Sequence, residues 1–269
     1  MLRILAATLA LVASAALADD PADEAGLVSM EVLPGWETSR GTVMSGVRLR
    51  LAPGWKTYWR APGEAGIPPR FSWAGSENLA SAGFHWPVPD VFETSGLRSI
   101  GYHDEVVIPM ELTPADHASE IRLAGRVELG VCEDICVPVS LDFAADLPVS
   151  ERRDPAIVAA LVDQPMPAEE AGVSGVSCSF VPDGRRMQVT AAIDLPPLGL
   201  DEMVVIESGD PGLWVSAAQA GRDGARLTAS AMIVPTGDGP VSIDRARMRI
   251  TVIADGEAVD IRGCPAPRD

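Results

Sequence analysis

The sequence is short of lysine, of aromatic residues and of long apolar runs. Lys56 is the only lysine, a bias of coding to which no function is attached. Lys and Arg total 21 against 38 Asp and Glu, a net charge of −17. That balance lacks the basic footprint of a nucleic-acid binder; it bears on solubility more than on fold. Aromatics are only 5% of the chain, but hydrophobic residues are 47%, ample for two cores. Beyond the first residues no apolar run approaches the roughly 20 needed to span a bilayer. There is no C-x-x-C, no fixed-period repeat and little helical periodicity.

The start "MLRILAATLALVASAALADD" reads as an export signal over residues 1–18. Arg3 gives the positive start, Ile4 to Val12 the short apolar run, and Ala16 to Ala18 the small-x-small cleavage site. No cysteine follows the site, so a lipid anchor has no support. The expected product begins at Asp19 and is soluble and exported, where disulfides persist.

Strand alternation dominates the rest. Val47, Leu49 and Leu51 alternate with Arg48 and Arg50; Glu105–Leu112 and Val137–Phe143 read the same way. Turn signals such as "APGW" and "WAGSEN" divide these runs. Residues 25–148 therefore read as an immunoglobulin-like β-sandwich. A linker, 149–171, carries a short helix, with a helix belonging to the first domain as the alternative: Asp154 as cap, Pro155 in the first turn, Pro165 and Pro167 beyond the end. From 172 to 269 strands resume in "RMQVTAAI", "EMVVIES", "ARLTASAMIV" and "RARMRITVIADG", a second and smaller sandwich. The expected class is all-β.

Chemistry-bearing residues are few, and the four cysteines lead them. Spacing points to Cys132–Cys136 and Cys178–Cys264 among three possible pairings. The second bridge closes a long loop, worth roughly 4–5 kcal/mol by chain entropy, while the tiny first loop gives about 2. The long bridge is therefore the efficient staple. The short one lies in "GVCEDICVP", between two strands whose apolar faces are Val127, Leu129, Val131 and Val137, Val139, Leu141, Phe143. Both cysteines fall on the opposite, polar side, where another protein could reach them. Glu133 and Asp134 disfavour a thiolate there, and no basic residue offsets them locally. A static bridge, a redox pair and a metal clip all stay open. A zinc site lacks two ligands, with His85, His103 and His117 scattered, while Cys132, Cys136 and Met110 are a conceivable copper(I) set.

"GWKTYWRAPGEAGIPP", "WPVPDVFETSGLRSIGYHDEVVIPMEL" and "GVCEDICVP", in this order, resemble the N-terminal periplasmic domain of DsbD-type thiol:disulfide interchange reductases. The likeness is strongest to the branch with the copper-tolerance ScsB proteins and covers roughly Glu31 to Asp146. It implies an immunoglobulin-like domain whose cysteine pair, here Cys132 and Cys136, relays reducing equivalents. They arrive from a membrane-embedded reductase by way of a thioredoxin-like domain and pass to oxidised periplasmic proteins. It further implies that Cys136 forms the mixed disulfide, and that a cap loop shields the pair, with Phe92 and Tyr102 the matching aromatics. Trp55, Tyr58 and Trp59 read as a core strand, with Trp59 or Arg60 at a partner surface as the alternative. Family members continue into a membrane domain and a thioredoxin-like domain; neither is in this sequence, so separate chains are expected to supply them. No cofactor or metal is implied. The rival reading is a non-catalytic binding module, for copper or a membrane reductase, with a static Cys132–Cys136 bridge.

Overall fold

The computed structural model describes residues 27–64, 66–94, 96–148 and 152–267. The export signal expected at 1–18 lies outside them.

The first ten strands are β1 (Leu27–Glu37), β2 (Val43–Leu51), β3 (Lys56–Gly63), β4 (Arg70–Ser72), β5 (Leu79–Phe84), β6 (Asp90–Thr94), β7 (Leu97–His103), β8 (Glu105–Pro114), β9 (Ile121–Cys132) and β10 (Cys136–Leu147). They form two antiparallel sheets, β1-β2-β8-β5 and β10-β9-β3-β7-β6, with β4 also on β9. Alternation explains the facing. Val47, Leu49 and Leu51 are buried between the sheets, while Arg48 and Arg50 turn outward to Glu31 and Glu105. A chain shifted by one residue would bury those guanidiniums instead.

One stretch of this sheet is buried on both faces. The helix α1 (Pro155–Val162) lies across it, with Ile157 and Ala160 packed on Leu33, Trp36, Met44 and Val107. Gly46 makes room: a Cβ there would sit 3.1 Å from the Ile157 side chain. The Asp154 carboxylate accepts from the Ala156 and Ile157 amides at 2.8 and 3.4 Å, capping the helix. The helix thus packs on the first sandwich.

The second sandwich follows with β11 (Met166–Pro167), β12 (Gly175–Asp183), β13 (Arg186–Asp194), β14 (Met203–Glu207), β15 (Leu213–Val215), β16 (Gln219–Asp223), β17 (Arg226–Pro235), β18 (Arg249–Ala254) and β19 (Glu257–Arg262). Its sheets run β11-β19-β18-β14 and β12-β13-β17-β15, with β16 also on β17. The all-β expectation holds, in two sandwiches. The strand expected from "RARMRITVIADG" starts only at Arg249.

Strand β18 is buried on both faces, Thr251 included. One face closes its own sandwich. From the other side Met203, Ile253 and Ala258 join the core cluster of the first sandwich. Beside them the Arg60 guanidinium, stacked 3.7 Å from the Trp59 ring, donates to both Glu207 carboxylate oxygens at 3.2 and 3.0 Å and to Thr251 Oγ1.

Candidate functional site

Strands β9 and β10 form a hairpin closed by Glu133, Asp134 and Ile135, and its last ladder pair is Cys132 opposite Cys136. Their Cα atoms are 4.2 Å apart and their sulfurs are bonded. Their direct opposition in the ladder is what brings them together.

The two sulfurs differ in access. Cys132 is 1% exposed, whereas Cys136 and the loop residues Glu133, Asp134 and Ile135 are exposed. Strand facing alone places both cysteines on the open side; the structure corrects this for Cys132. The cover is Tyr58 of β3. Its Oη lies 2.8 Å from each sulfur. Disulfide sulfurs carry no hydrogen, so the phenol donates. Burial raises the Tyr58 pKa above the ordinary phenol value, which keeps that proton in place.

Two glycines seat the ring. A Cβ on Gly130 would come within 2.9 Å of it, and one on Gly66 within 2.7 Å. Sequence reading had placed Tyr58 in a core strand. The available signal was phase: in "KTYW", Thr57 and Trp59 face the core, so Lys56 and Tyr58 face the other way.

Lys56 is also brought to the pair. It is the cross-strand partner of Cys132 on one side and of His103 on the other. Its Nζ stands 5.3 Å from the centre of the Phe92 ring. Phe92 in turn meets His103 edge-on, with centroids 6.3 Å apart. His103 is held between Asp90 and Asp104, at 3.2 and 2.7 Å. Locally in sequence no basic residue offsets Glu133 and Asp134; in space Lys56 sits one strand away.

The two aromatics expected to cap the pair part company. Phe92 is half-buried on the same side as Lys56. Tyr102 is not beside the sulfurs. It is 6% exposed in the core, and its hydroxyl donates to the Pro87 carbonyl at 2.9 Å. The reason is phase again: Tyr102 pairs with Thr57, which pairs with Val131, a row one residue out of step with the cysteines. Burial pushes its phenol well above the ordinary value.

The remaining expected residues lie elsewhere. Trp59 is fully buried, and the surface Arg60 meets is the second sandwich. Met110 is buried in β8 of the opposite sheet, away from the cysteines' outer face, so the copper set does not assemble. His85 contacts Glu111 and Gln164, and His117 contacts the Gly41 carbonyl. Among the described residues no group of three or more His, Cys, Asp or Glu could hold a metal ion.

Cys178, in β12, is bonded to Cys264, just past β19, across 86 positions. Both are buried. The Cys178 amide donates to the Pro265 carbonyl, the Cys264 amide to the Arg245 carbonyl, and Arg245 Nη1 to both cysteine carbonyls.

An all-β sandwich carrying a half-exposed disulfide at a hairpin end has a family counterpart. Residues 29–148 match the family described as thiol:disulfide interchange protein DsbD, N-terminal, and this part of the chain is a DsbD-type N-terminal domain. Among solved structures, the chain is similar to the N-terminal periplasmic domain of ScsB from Proteus mirabilis. The identity is 23% and the TM-score 0.65, over 91% of this chain and 98% of that one, a likeness of fold across both sandwiches. The N-terminal domain of Neisseria meningitidis DsbD in its reduced form matches at 19% identity and TM-score 0.29, over 48% and 90%. No curated protein matches the chain. No described helix is long and apolar enough to cross a membrane.

Proposed function

We propose that the chain is a periplasmic thiol:disulfide interchange protein, with Cys132 and Cys136 as the pair that relays reducing equivalents. The observation carrying this reading is the asymmetry of the bridge. Cys136 is exposed while Cys132 is buried, and the Tyr58 hydroxyl lies 2.8 Å from both sulfurs.

The chemistry balances as two exchanges. A donor's thiolate attacks Cys136 Sγ; the new bond is a mixed disulfide, and the electron pair of the old bond leaves with Cys132 Sγ as a thiolate. Tyr58 donates its hydrogen bond to that charge, an interaction stronger than one between neutral groups. The donor's second thiolate then attacks its own mixed sulfur, leaving the donor oxidised and Cys132 and Cys136 reduced. In the forward direction the reduced Cys136 attacks a client's disulfide, and Cys132 resolves it. The client gains two electrons and the pair closes again.

By family resemblance the donor is a thioredoxin-like domain fed by a membrane-embedded reductase, and the clients are oxidised periplasmic proteins. Phe92 is assigned the shield over the pair. Cys178–Cys264 is assigned a purely structural role. Residues 25–148 are assigned as the redox domain, 149–171 as the linker and 172–269 as the second domain.

The test is a trapping experiment together with a potential. A Cys132→Ala variant should accumulate a mixed disulfide with a thioredoxin-like donor through Cys136, and Cys136→Ala should not. The wild-type pair should equilibrate with glutathione. A potential below about −300 mV, where structural bridges lie, would instead favour the binding module with a static disulfide.

A further inference from the structure

We infer that Lys56 is a positioning charge for this exchange: its ammonium stabilises the thiolate that Cys132 becomes when the bridge opens. The inference rests on the relay reading above and deepens it.

Two independent observations put Lys56 on the sulfurs' side of the sheet. Lys56 and Cys132 are directly opposed in the β3–β9 ladder, and such partners share a face with Cβ atoms about 4.5–5.5 Å apart. Tyr58, two residues further along β3 and so on the same face, touches both sulfurs. Cys136, Cys132, Lys56 and His103 therefore form one row across four strands.

Charge gives the row its purpose. Tyr58 touches Cys132 and Lys56 opposes it from β3; Glu133 and Asp134 adjoin it in the hairpin loop, and beyond Lys56 in the row stands His103 of β7, itself held between Asp90 and Asp104. Four of these are carboxylates, which oppose a thiolate, and the sulfur is out of water. Both effects raise a thiol's pKa. A neutral Tyr58 offers one hydrogen bond and no charge. Lys56 supplies a cation one strand away, with Phe92 beside its ammonium. A cation on the face of a thiol favours its charged form. The sign is downward for Cys132, so Lys56 makes it the better leaving group as a partner's thiolate bonds to Cys136.

The experiment is a pH titration of thiolate ultraviolet absorbance in full-length Cys136→Ala protein, where Cys132 is the sole free thiol. Adding Lys56→Met should raise its pKa by about one unit, a tenfold loss of thiolate at pH values below it. Lys56→Arg should restore most of the shift. In the otherwise wild-type protein, Lys56→Met should slow reduction of the bridge by a small neutral thiol several-fold. Circular dichroism and thermal melting confirm that each variant is folded. An unchanged pKa in Lys56→Met overturns the inference, and so does an equal shift in Lys56→Met and Lys56→Arg, which would point to packing. The titration needs no partner. If wild-type protein fails to exchange with any donor while the Lys56 shift is present, the relay reading falls and the charge assignment stands.

Discussion

The two disulfides of this chain are the same bond in opposite settings. Cys178–Cys264 closes 86 positions, is buried at both ends and is wrapped by backbone hydrogen bonds and the Arg245 guanidinium. Cys132–Cys136 closes four, sits at the end of a hairpin, and leaves Cys136 exposed while the Tyr58 side chain touches both sulfurs. Entropy removed from the unfolded chain grows with loop length, while reactivity follows access to sulfur and the stability of the departing thiolate. The first bridge scores chiefly on entropy, and the second on access and on the stability of its departing thiolate.

The sharpest way to break that contrast is to delete each bridge. Replacing Cys178 and Cys264 by Ala should cost about 4–5 kcal/mol of unfolding free energy, and replacing Cys132 and Cys136 at most about 2. Denaturant melts of the two double variants measure both. Equal losses would mean that the short bridge is also a staple.

Next in size is the pair of aromatics. Tyr102→Ala should destabilise the protein by about 3–5 kcal/mol, as large core truncations do, and leave the reduction rate of folded protein unchanged. Phe92→Ala should cost far less stability and should speed reduction by a small neutral thiol. The opposite pattern would return Tyr102 to the cap and send Phe92 to the core.

Tyr58→Phe keeps the ring between Gly66 and Gly130 and removes one hydroxyl. A hydrogen bond to a charged group is worth about 1.5–3 kcal/mol, so opening of the bridge should slow by roughly tenfold or more, read by the same thiol assay. No change would show that the phenol only covers the sulfur.

The mildest test leaves the sequence alone. Brief dithiol treatment of folded protein, then alkylation and peptide mapping, should label Cys132 and Cys136 well before Cys178 and Cys264. Simultaneous labelling would erase the comparison.

Much of this was readable along the chain and some of it was not. Alternation identified the strands of both sandwiches because each residue's facing depends only on its immediate neighbours. The same alternation put Cys132 on an open face, and failed there because its cover comes from β3, more than seventy residues away. Lys56 was legible as the sole lysine but not as a neighbour of Cys132, since register between distant strands is set by the whole sheet. Tyr102 was misplaced by one step of phase: family position suggested a loop, while its ladder partner Thr57 faces the core. The second face of β18 was invisible for a related reason, since Thr251 reads as a solvent residue until another sandwich is laid against it.

That doubly buried strand has a thermodynamic consequence. Met203, Ile253 and Ala258 complete a core that belongs to the other sandwich, and Arg60 reaches across to Glu207 and Thr251. Parting the halves would hydrate this apolar surface and leave a guanidinium without its carboxylate, so each half stabilises the other. Heat should melt them together, in one calorimetric peak whose van't Hoff and calorimetric enthalpies agree. Loosening at the far end of the second sandwich would then be felt in the strand that carries Lys56 and Tyr58.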